Sequence, residues 1–223
     1  MILIGTFKIK NKRGMNMSSS SIYFLDQSFN GVVDEEYKNS WLFSPIIWDV
    51  LLEKYMHDEI QTPYGYKKGI IGFGGNQLQQ QLNEIINNCD SISDRICWEL
   101  SMQQIFFSKD KDIVAQGIKD FLVNNNKFHL TDEGVSYLAL EHIAERFNQI
   151  ADDILKIDEK KYPYFVFKNT SVDDNVECWF EQYDKETDDY KDKSLRDWDT
   201  VITEFVKIDD EKISFINNVE YFK

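Results

Sequence analysis

The sequence predicts an α+β fold: N-terminal strands, a central bundle of four to five helices, and C-terminal antiparallel strands. Three observations predict it. Short period-two apolar runs occupy the beginning of the chain, stripes with helical spacing fill the middle, and period two returns after about residue 160. The elements are segregated by type, whereas a doubly wound sheet would alternate strand and helix. At 223 residues, 42% of them apolar and 14% aromatic, the chain can bury the core of one globular domain spanning 1–223. Only 3 prolines and 10 glycines leave little material for a linker, so the shift near 160 reads as a subdomain change.

The elements follow in order. ILIGTFKIK (2–10) and SIYFLD (21–26) read as strands joined by a polar loop. SPIIWDVLLEKYMHD (44–58) opens a helix, with Ser44 as N-cap and Pro45 at the first helical position. NQLQQQLNEIINNC (76–89) sets Leu78, Leu82, Ile85, Ile86 and Cys89 on one helical face. SISDRICWELSMQQIFF (91–107) begins with Ser91 three residues before Asp94, a capping-box-like start to a third helix. Helix 110–125 carries the stripe Ile113, Val114, Ile118, Phe121 and Leu122. The longest helix is expected from about Thr131 to Ile157, with Leu140, Ile143, Ala144, Phe147, Ile150, Ala151 and Ile154 facing the core. YPYFVFK (162–168) and NVECWFEQY (175–183) are strands, and 200–216 is a hairpin turning at Asp209 and Asp210.

Charge is unevenly placed. The net value is −14; residues 1–130 hold 15 acidic and 13 basic side chains, and 131–223 hold 24 and 12. Such a surface repels nucleic-acid phosphates and anionic lipid and attracts basic proteins, so neither direct nucleic-acid contact nor a membrane role is expected. Cys89, Cys97 and Cys178 lie in apolar runs and read as buried free thiols of a reducing compartment. No apolar run approaches the roughly 18 residues of a spanning helix, and MILIGTFKIKNKRG reverses the order of a secretory signal. A cytoplasmic protein is expected.

Motif chemistry is thin. GIIGFGGNQLQQQL (69–82) resembles a phosphate-binding turn, but Gln77 stands where the dinucleotide loop needs its third glycine, and no Gly-Lys-Ser/Thr follows. It reads as a tight turn into a helix capped by Asn76. Glu141, His142 and Glu145 lack the second histidine of a zinc helix, and helical rotation puts His142 and Glu145 nearly opposite the apolar stripe. The acidic pairs match no calcium loop. No cofactor, metal or catalytic residue is assigned.

The strand Val176–Tyr183 is more informative. Alternation sets Val176, Cys178 and Phe180 on one face and Glu177, Trp179, Glu181 and Tyr183 on the other. The following segment, read as a loop, adds Asp184, Glu186, Asp188, Asp189, Tyr190 and Asp192. Rings flanked by carboxylates suit a binding surface, because the ring supplies buried area and the carboxylates pair with lysine or arginine. With NVECWFEQYDKETDDYKDK and this charge layout the chain resembles, as a class, the immunity proteins of bacterial toxin–immunity systems. The resemblance implies a non-catalytic inhibitor of a basic toxin domain, such as a nuclease, and transfers no residue roles. Two other readings share the sequence: a metal-dependent hydrolase with a dispersed acidic site, and a structural or regulatory subunit of a larger assembly.

Overall fold

The computed structural model describes residues 19–56, 77–170, 181–192, 204–209 and 212–217. The predicted strand 2–10, the glycine stretch with Asn76, and Cys178 lie outside the described residues. Within them the α+β prediction holds: five α-helices accompany a six-stranded mixed sheet.

β1 (Ser19–Leu25) pairs antiparallel with β2 (Gly31–Lys38) on one side and with β4 (Tyr164–Thr170) on the other. β3 (Ile105–Phe107) joins β4 antiparallel and β7 (Glu204–Asp209) parallel, and β8 (Lys212–Asn217) closes the order β2-β1-β4-β3-β7-β8. β5 (Glu181–Asp184) and β6 (Asp189–Asp192) form a separate antiparallel hairpin.

Period two decides which strand residues meet the helices. Phe106, Phe165, Phe167, Val206 and Ile208 join the large core shared with the helices. Their neighbours Ile105, Tyr164, Val166 and Phe205 belong to a second cluster with Leu25 and Phe29, to which no helix contributes among the described residues. Phe29 reaches it from the β1–β2 connection, with φ of 63° and its ring stacked on Tyr164 at 4.6 Å. The helices α1 (Ser44–Met56), α2 (Gln77–Asn87), α3 (Ile92–Ser101), α4 (Lys111–Asn124) and α5 (Glu141–Leu155) supply only the large core. The stripe expected on α5 faces inward: Ile143, Phe147, Ile150, Ala151 and Ile154 are buried, each large side chain stabilising by about 1.5–3 kcal/mol. Phe147 meets Phe43 at 4.6 Å and Phe121 at 6.1 Å, joining α5 to α4 and to the start of α1.

Several expectations are corrected. Helix α1 starts a residue early, since the Ile47 amide bonds the Phe43 carbonyl; Phe43 occupies the cap position and Pro45 the first turn, whose amides need no helical acceptor. The third helix stops at Ser101 rather than running through 107. Gln103, at φ 62°, turns the chain left-handed, with Gln103 N–H bonded to Leu100 O and Gln104 N–H to Glu99 O. That is a Schellman closure built on glutamine instead of glycine, and it releases 105–107 to become β3. The longest helix starts at Glu141, ten residues after Thr131. Thr131 instead closes a loop: its amide bonds Val135 O at 2.8 Å, Gly134 sits at φ 78°, and Leu130 bridges Ser136. Ile85 and Ile113, assigned to apolar stripes, are exposed. β2 was not anticipated at all. Asp209, expected in the last turn, pairs with Lys212 as the final residue of β7 instead, and Asp210 lies outside the described residues.

Candidate functional site: two acidic surfaces

The residues singled out for binding fall largely on the β5–β6 hairpin. Glu177 and Trp179 lie outside the described residues. The backbone register sets Glu181 opposite Asp192, Tyr183 opposite Tyr190, and Asp184 opposite Asp189. The expected acidic loop is thus half strand: Asp189, Tyr190 and Asp192 belong to β6, and the turn is confined to 185–188. Asp184 builds that turn, its Oδ1 accepting the Glu186 amide at 3.0 Å, and Asp188 completes it at φ 53°. Glu186 and Asp188 are exposed and Asp184 is half-buried. Two of the four register pairs set one acidic position opposite another along the backbone.

A second acidic surface, missed by the sequence reading, lies between β2 and the outer face of α5. It is a groove of about 490 Å³ lined by the carboxylates of Glu35, Glu145, Asp152 and Asp153, by the amides of Asn148 and Gln149, and by Lys156. Asp153 is buried at its base. Its Oδ2 accepts the Tyr37 hydroxyl at 2.8 Å and its Oδ1 accepts Lys156 Nζ at 2.6 Å, so both oxygens are satisfied. Tyr37 is held from the other side by Arg146, whose guanidinium lies 5.3 Å from the ring centre and donates to Lys38 O at 3.0 Å. Burial pulls the Arg146 pKa down from its ordinary value, the Tyr37 hydroxyl opposing it. These contacts fix strand to helix and leave Glu35 and Glu145 exposed. Asp152, also exposed, pairs with Lys119 at 2.8 Å.

Trp41 follows β2 in the chain. Just beyond Lys38, Asn39 adopts φ 64° and its side chain accepts the Trp41 amide, starting a 3-10 turn over Ser40–Leu42. The turn leaves Trp41 62% exposed. An indole so presented on a capped turn is unusual for a solvent-facing position and suits a contact surface. β2 is also the edge of the sheet among the described residues, and Asp34 is an extra residue there, since Ile22 pairs with Glu35 and Tyr23 with Val33. A bulge with charges on an edge strand discourages unselective strand pairing.

The remaining chemistry is internal. Asp94, wholly buried in α3, accepts Lys54 Nζ at 2.5 Å, the Tyr55 hydroxyl at 2.6 Å and Asn125 Nδ2 at 2.8 Å. Lys54 also donates to Asn125 Oδ1 at 2.8 Å. Burial, then the bond to Asp94, pushes the Tyr55 phenol well above its usual range. The donors converge on one carboxylate and tie α1 and α3 to the end of α4. Burial likewise raises the Cys97 thiol. Glu141, His142 and Glu145 are exposed, and among the described residues no three His, Cys, Asp or Glu side chains converge to hold a metal. No helix among the described residues is long and apolar enough to cross a membrane.

No protein-family model matches the chain, and no curated protein or solved structure is significantly similar to it.

Proposed function

We propose that this chain is a non-catalytic acidic binding protein that neutralises a basic protein partner, in the manner of the cytoplasmic immunity proteins that inhibit bacterial toxins. The partner is a cationic toxin domain, a nuclease being the activity that acidic side chains mimicking phosphates would block. The observation that carries the reading is the hairpin register, which sets acid against acid at Glu181–Asp192 and Asp184–Asp189. Like charges placed opposite each other weaken a two-stranded sheet, and a cationic partner converts that cost into attraction. The groove of Glu35, Glu145 and Asp152 offers carboxylates of the same kind, and the exposed Trp41 in the turn after β2 an aromatic anchor.

The test is capture from the native cell at low salt, elution by a salt gradient, and measurement of association rates for charge-reversed proteins. Changing Glu177, Glu181, Asp188 and Asp189 to lysine should slow association by about 10-fold or more, because steering by opposite charge is lost. A matched set at Glu35, Glu145 and Asp152, with Trp41→Ala, compares the groove with the hairpin. A partner that is acidic, or that binds both reversed sets at the wild-type rate and without salt dependence, would overturn the proposal.

A further inference from the structure

We draw no further inference here: the strongest candidate, the carboxylate-lined groove between β2 and α5, belongs to the binding surface already described, and nothing beyond its own acidic side chains indicates what else would fill it.

Discussion

Asp94 has no exposed surface and three donors on its two oxygens. A buried pair of this kind does not have to be stabilising overall, but removing one member strands the other charge. Asp94→Ala should therefore cost about 3–5 kcal/mol, against about 1.5–3 kcal/mol for Tyr55→Phe, which removes one hydroxyl donor to the carboxylate. Urea unfolding of the two variants measures the gap; equal losses would show that the ion pair is not the anchor. Asp110 presents the opposite case. Burial raises its pKa, with Lys109 and the Ile208 amide pulling the other way, and its Oδ2 is buried without a hydrogen-bond partner among the described residues. A carboxyl whose folded pKa lies above its unfolded value contributes fully below that unfolded value, about 3.9, and loses the contribution as pH rises through the folded value. Asp110→Asn should accordingly gain stability relative to wild type between pH 4 and pH 7. Urea midpoints of both proteins across that range report it, and a pH-independent difference would exclude Asp110 as the titrating group.

The contact between α3 and α4 depends on Gly117. A methyl there would sit 2.7 Å from Ile96 Cδ1 and 3.3 Å from Ile96 Cβ, and Ile96 is wholly buried. Alanine gains about 1 kcal/mol of helix propensity over glycine, whereas overpacking costs about 1–3 kcal/mol. Because Ile96 is wholly buried and would have to shift within the core, Gly117→Ala should destabilise by about 1 kcal/mol. Ile96→Val in the same chain should recover part of that loss, and a double-mutant cycle that shows no coupling would refute the close contact. The same scale separates what sequence could tell from what it could not. The α5 stripe was legible because one helical period spans its whole buried face. β3 was not, because the stop before it is a left-handed glutamine where a glycine would have announced the end. β2 hid because GVVDEEYK interrupts its alternation with a bulge at Asp34. At the hairpin, composition marked the acidic residues but could not supply the pairing that arranges them. The groove was invisible for a different reason: Tyr37 and Asp153 are 116 positions apart, and no local pattern connects them.

For the molecule as a whole, a net charge of −14 means that compaction works against self-repulsion. Raising ionic strength from about 10 mM to about 150 mM shortens the screening length from about 30 Å to about 8 Å. The thermal midpoint should rise across that interval, as calorimetry can record, while binding to a cationic partner weakens. A midpoint that falls instead would mean that surface ion pairs such as Lys119–Asp152 outweigh the repulsion.

The parallel pairing of β3 with β7 sets Ile105 beside Phe205 in the interior of the sheet. At about 5–20 residues per second, a ribosome delivers β7 some 5–20 s after β3. Until β4 follows, the nascent chain carries an apolar strand unpaired on both sides, and from then until β7 arrives on one, a template that any other extended chain could occupy. The finished sheet has its blunted strand at β2; the growing one is most vulnerable at its future centre.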